Sequence, residues 1–279
     1  MQKDVKQVFY FHADAHSLGG FTDDTFDVIP SQASVSLPPV GGSSSRHGEG
    51  FTHKNVVSCR STYTHVHGRP QKTNGPWHAR MTSVVEGLNI LDVITADRAA
   101  ARIFVEYPED NSAPKVSFAG THFENLRYLG KEVRLDLNSD LFPQHHRTGD
   151  VYNEEETFTP EIDWSVFGEV AQRQSGALRD TSGAPEWAVN RYGWQGSKSD
   201  ARNGDFAICS LVDRVETDHP VQTYGHFLDI PDIGRFFLAE VMVQPRAVQI
   251  AMVRAELGCQ VRGMASASSG GVGGRTVPP

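Results

Sequence analysis

Apolar and polar residues alternate along much of this chain. A period of two marks a half-buried strand, whose successive side chains point to opposite faces. The clearest example is RAAARIFVEY at 98–107. Ala99, Ala101, Ile103, Val105 and Tyr107 fall on one face, and Arg98, Arg102 and Glu106 on the other. A polar turn with Asp110, Asn111 and Pro114 separates it from KVSFA at 115–119. FENLRYLGKEVRLDL at 123–137 then reads as a hairpin. Leu126 and Tyr128 lead into a turn at Gly130-Lys131, after which Val133, Leu135 and Leu137 share a face opposite Arg134 and Asp136.

Other stretches carry the β-branched and aromatic content of strands. They are QVFYFH at 7–12, ASVSL at 33–37, NVVSCRSTYTHVH at 55–67, FAICSLVDRV at 206–215, QTYGHFLD at 222–229 and GRFFLAEVMV at 234–243. AVQIAMVRAEL at 247–257 fits a strand too, although its Ala, Met and Glu content would tolerate a helix. Between 143 and 205 the character changes to polar, glycine-broken sequence. DWSVFGEVAQ predicts one short helix there, with Asp163 as N-cap and Trp164, Phe167, Val170 and Ala171 on one side. The remainder is a loop-rich insertion with aromatic anchors at Trp164, Trp187, Tyr192 and Trp194. The Gly/Ser-rich stretch 40–52 and the Ser/Gly/Pro-rich tail 264–279 are expected to be flexible.

Many short strands, no long amphipathic helices and no internal repeat predict a single mainly β domain over 1–279, an antiparallel sandwich or a barrel-like arrangement. At 279 residues the chain can bury a core without disulfide staples. Its 26 glycines and 15 prolines suit turns better than helices. A formal net charge of −8 with no basic run argues against a nucleic-acid partner. No segment approaches the ~20 consecutive apolar residues of a membrane span, and the first residues lack a secretory pattern. The expected location is therefore cytoplasmic, or extracellular if this is a mature form. Cys59, Cys209 and Cys259 are scattered and odd in number, which excludes a disulfide framework and leaves one bridge open.

A succession of segments resembles the β-rich bacterial choice-of-anchor proteins. It runs from SQASVSLPPVGG (31–42) through SVVEGLNILDVITADRAAARI (83–103) and VSFAGTHFENLRYLGKEVRLDL (116–137) to YGHFLDIPDIGRFFLAEVMV (224–243). The match covers about half the chain, and its motifs are strand-and-turn patterns. The resemblance implies an extended β domain with a non-catalytic surface or structural role. The insertion at 143–205 and the missing export signal and anchor depart from that pattern. No catalytic residue carries over.

Candidate chemistry is sparse. In His12-Ala13-Asp14-Ala15-His16, two imidazoles and a carboxylate share one face of a strand, as a zinc or iron site requires. His65 and His67 repeat the spacing and would complete the ligand set; the simpler reading is a solvated, histidine-bearing strand face. His145-His146 and the acidic run Glu154-Glu155-Glu156 beside Asp150 read as exposed loop. No nucleophile elbow or phosphate-binding loop occurs. Trp164, Trp187, Tyr192 and Trp194 either form a ligand or partner platform or a small core that holds the insertion down. The reading that follows is a non-catalytic structural or interaction protein, binding a protein partner, itself or a glycan, with no cofactor. The alternative is a metal-dependent enzyme or metal-binding protein using the His/Asp cluster and a divalent zinc or iron ion.

Overall fold

The computed structural model describes residues 8–22, 27–70, 76–142, 162–193, 206–258 and 261–277. Numbered in chain order, they form 21 strands and two helices arranged as two antiparallel sheets. The sheets stack as a sandwich and do not close into a barrel.

The first sheet runs β17 (Gln222–Tyr224), β18 (Phe227–Ile230), β19 (Gly234–Gln244), β20 (Ala247–Gly258), β21 (Arg262–Val277), β1 (Val8–Thr22), β2 (Asp27–Gln32). β15 (Ala207–Ser210) adds to β19, and β3 (Val35–Ser36) to β1. The second sheet runs β16 (Val212–Thr217), β13 (Lys131–Leu137), β12 (Arg127–Tyr128), β9 (Ile94–Tyr107), β8 (Trp77–Ile90), β6 (Val57–Cys59), β5 (Phe51–His53). β7 (Ser61–Pro70) lies between β8 and the edge strand β4 (Gly42–Gly48), while β10 (Lys115–Ser117) and β11 (His122–Glu124) flank β9. β14 (Ile162–Asp163) pairs with β10.

Alternation sets the faces. On β1, Phe9, Phe11, Ala13 and Ala15 are buried against the second sheet, while Tyr10 and His12 are exposed. Phe9 stacks on Trp77, with ring centroids 4.8 Å apart, and lies 5.0 Å from Tyr107. Burying a side chain of this size contributes roughly 1.5–3 kcal/mol.

The tail expected to be flexible is instead β21, a 16-residue strand paired along both edges with β1 and β20. Its small residues are what the packing demands. A Cβ on Gly274 would lie 2.2 Å from the Phe9 ring, and one on Gly270 2.4 Å from the Asp14 carbonyl oxygen. The 40–52 stretch, also expected to be flexible, supplies β4 and part of β5, with β4 paired along its length to β7. Compositional signals for mobility fail here because glycine and serine also suit close backbone approach.

The first sheet's pairing lapses along one line. The β1–β21 register skips Ser17, the β20–β21 register skips Met252, and the β19–β20 register skips Ala239. Ser268 (φ 52°) and Ala239 (φ 48°) sit in the left-handed region on that line. Backbone groups released by such a lapse need partners when buried. Buried serines supply them across the sandwich. Ser83 Oγ donates to His16 O (2.9 Å), Ser268 Oγ to Ser83 O (2.6 Å) and Ser17 Oγ to Tyr63 O (3.2 Å), while Ala101 N donates to Ser268 Oγ (3.0 Å).

The run 206–215, expected as one strand, is two strands in different sheets. β15 pairs with β19 and β16 with β13, and the chain crosses at Leu211. There Leu211 N donates to Ala239 O (3.0 Å), and Ser210 Oγ donates to Leu238 O (2.8 Å) while accepting from Val212 N (2.9 Å). Cys209, Ser210, Leu211 and Val212 are all buried at the crossing, so no exposed residue marks where one strand ends and the next begins.

Two helices lie in the predicted insertion. α1 (Val166–Asp180) is longer than expected, and its N-cap is Ser165 rather than Asp163. Asp163 instead accepts from Ser165 N at 3.0 Å. Trp164, Phe167, Val170 and Ala171 are all buried in the main core, as their spacing predicts. α2 (Glu186–Gly193) was not anticipated. With the C-terminal half of α1 it covers the outer face of β18 and β19, where Leu178, Ala188, Tyr192, Tyr224, Phe227 and Phe237 form a second cluster.

Candidate interaction cleft

The hairpin read from sequence at 123–137 forms only near its tip, and its two-residue turn is Leu129-Gly130, one residue earlier than the expected Gly130-Lys131, both at positive φ (46° and 76°). That is the backbone of a tight hairpin turn, and Leu129 is an uncommon residue for it. Pairing then runs Tyr128↔Lys131 and Arg127↔Glu132, and a last rung joins Val133 N to Leu126 O at 2.9 Å. Beyond that rung the arms part. β11 stays on β9, pairing His122↔Ala100 to Glu124↔Arg98. β13 leans to β16, pairing Arg134↔Glu216 and Asp136↔Arg214.

A strand directs successive backbone groups to opposite neighbours. With Arg134 and Asp136 facing β16, and Asn138 N donating to Leu211 O (2.9 Å), the amides and carbonyls of Leu135 and Leu137 face the gap. Among the described residues no strand pairs with β13 there.

The wedge between the arms is a cleft of about 400 Å³. Its floor is Phe142, Leu211, Val212, Ala239 and Met252, all buried, and Leu126 and Val133 line its apex. Ala239 and Met252 belong to the line where the first sheet's pairing lapses. Leu137 stands at the mouth, 46% exposed. Two exposed ion pairs edge the cleft, His122–Glu124 (3.1 Å) and Arg134–Asp218 (3.1 Å). Such pairs add little stability. A concave apolar floor with a polar rim is the usual form of a binding site.

A second cavity, of about 340 Å³, lies under α1 and is lined by Arg173, Gln174, Tyr192, Asp213, Tyr224 and His226 among others. Two of its lining residues, Tyr192 and His226, belong to an ionic network with Glu240 and Arg254. Arg254 donates to Glu240 through Nε (2.6 Å) and Nη2 (3.0 Å), and Tyr192 Oη donates to Glu240 Oε1 (2.8 Å). Burial pushes the Glu240 carboxyl up, but His226, 3.9 Å away, and Arg254 more than offset that and hold it well below the usual carboxylate range. Burial, then the Glu240 charge, pushes the Tyr192 hydroxyl up. Arg191 continues the network to Glu256 (2.6 Å). Donors meet acceptors throughout, so the arrangement clamps α2 to the sheet.

The two halves of the sequence-predicted metal site, on β1 and β7, are not brought together. His12, Asp14 and His16 share the outer face of β1, with His12 Nε2 3.3 Å from Asp14 Oδ1 and His16 Nε2 3.0 Å from Ser266 Oγ. His65 and His67 share the outer face of β7, and His65 Nε2 lies 2.8 Å from Ser43 Oγ. β1 and β7 face each other with their buried residues, so the two histidine pairs point out of opposite sides of the sandwich. No group of three or more His, Cys, Asp or Glu side chains fit to hold a metal converges among the described residues.

Of the aromatic set, Trp164 and Tyr192 are buried, and Trp187 lies under the Arg235 guanidinium, 3.6 Å from its ring centre. Trp194, His145-His146, Asp150, Glu154–Glu156 and Cys259 lie outside the described residues. Cys59 and Cys209 are buried free thiols, and burial pushes both up. Among the described residues no helix is long and apolar enough to cross a membrane.

The family described as Domain of unknown function (DUF8256) matches residues 9–244. The chain belongs to the DUF8256 family. The DUF8256 match takes in β1 to β19 and the whole splayed hairpin; β20 and β21 lie beyond it. No curated protein and no solved structure matches this DUF8256 chain.

Proposed function

We propose that this is a non-catalytic interaction protein that holds a protein partner, or a second copy of itself, in the cleft between β11 and β13. One observation carries the reading: a hairpin that parts over an apolar floor leaves surface and backbone that association would cover. The resemblance to choice-of-anchor proteins supports a non-enzymatic role. A glycan platform has less support, because Trp164 and Tyr192 are spent on packing.

Native size-exclusion of lysate from expressing cells tests this. The wild-type chain should run well above its own 30.7 kDa. Leu137→Lys at the cleft mouth should return it to that mass. Val40→Lys, at an 84% exposed residue in the turn before β4, should not. A wild-type chain that runs at 30.7 kDa both in lysate and when purified at high concentration would overturn the proposal.

A further inference from the structure

We infer that the occupant of this cleft is an extended polypeptide strand with apolar residues at alternate positions, added to the edge of β13 that no described strand covers. The inference rests on the cleft being the partner site. Three features select a strand over a helix or a compact apolar molecule.

The first is hydrogen-bond complementarity. Leu135 and Leu137 present amide and carbonyl groups toward the wedge, and the far edge of β11 pairs with no strand among the described residues. A guest strand offers donors and acceptors at the matching repeat, whereas a helix keeps its own satisfied internally. The second is side-chain period. Val133, Leu135 and Leu137 share the cleft face of β13, buried at Val133 and open at Leu137, so a strand beside them sends every second side chain toward the floor of Leu211, Ala239 and Met252. The third is the rim. The guest's other side chains would face solvent beside His122, Glu124 and Arg134, which favours polar residues of either sign there. This is strand addition, in which the main chain supplies affinity and alternate pockets supply selectivity.

The test uses the full chain and a capped heptapeptide alternating threonine and valine. A second probe has the same sequence, N-methylated at every second residue to remove the amides of one edge. Dodecanoate serves as an apolar probe with no amide. Binding is read by calorimetry, and the bound region by amide hydrogen exchange. The parent peptide should bind, slow exchange at Leu135 and Leu137, and lose about tenfold or more in affinity on N-methylation, since roughly 1.4 kcal/mol corresponds to a factor of ten.

Equal binding of the two peptides would overturn strand addition while leaving the cleft as the partner site. So would dodecanoate binding in the cleft without peptide binding. No peptide binding at roughly 1 mM, or protection confined to residues outside 133–137, would overturn it as well. The cleft reading itself fails on a different measurement, the insensitivity of the chain's native mass to Leu137→Lys.

Discussion

The cleft between β11 and β13 and the cavity under α1 are close in size, about 400 and 340 Å³, and opposite in construction. Two residues lining the cavity, Tyr192 and His226, are tied into a charge network with Glu240 and Arg254 whose members satisfy one another. The cleft is floored by hydrocarbon and bordered by backbone groups that no described strand meets. Unequal satisfaction separates a region that holds the fold together from one that is ready to bind. Concavity alone would have ranked the two alike.

The contrast predicts that the two regions respond to different perturbations. The largest expected effect is Glu240→Ala. It leaves the buried Arg254 guanidinium with Glu256 as its one remaining carboxylate among the described residues and removes the acceptor of Tyr192, and should cost about 3 kcal/mol in urea unfolding. Partner binding should survive wherever the protein stays folded. If Glu240→Ala were nearly neutral, the network would not be the clamp described here.

Next comes Leu211→Ala in the cleft floor. Deleting a buried leucine costs about 2–5 kcal/mol, and the adjoining open cleft should keep the loss near the lower end. Unfolding should show that loss together with weaker peptide binding, whereas Glu240→Ala would show loss of stability alone.

Acid should act on the network first. The folded Glu240 group sits below its unfolded value, so the unfolded state binds the proton more readily and stability rises with pH across that interval. The contribution is complete above the ordinary carboxylate range and is lost as pH falls toward the depressed folded value. Glu240→Gln should flatten the stability profile below roughly pH 4.5 and leave it unchanged near neutrality apart from a constant offset. An unaltered acid limb would refute the assignment.

The smallest effect is expected from His12→Ala combined with His16→Ala. His12 stands exposed, while His16 is partly buried and bonded to Ser266, so the pair should change stability by about 1 kcal/mol. Elemental analysis of the purified chain should read the same before and after substitution. Loss of a stoichiometric metal would revive the metal-binding alternative.

Much of the fold was legible because alternation is a local property. Phe9 to Ala15, Ala99 to Tyr107 and Val133 to Leu137 declared their faces directly. The face shared by Trp164, Phe167, Val170 and Ala171 showed at helical spacing. Glycine and serine in 264–277 misled, since the same composition serves flexible tails and strands that approach an aromatic ring as Gly274 approaches Phe9. The crossing at Leu211 was hidden because Cys209 to Val212 are all buried, leaving no exposed residue to mark a strand end. The cleft was half legible. Its wall at Leu135 and Leu137 could be read, but its floor joins Leu211, Ala239 and Met252 from three separate segments. The partnership of Glu240 with Arg254 and Tyr192 was likewise invisible, as nothing local marks a charge as buried.

The most direct test of the cleft as the binding place is photo-crosslinking in expressing cells, with benzoylphenylalanine incorporated at position 137 or, in a separate variant, at position 40. A discrete adduct from position 137 and none from position 40 is the predicted result. Equal adducts from both positions, or none from position 137, would contradict it.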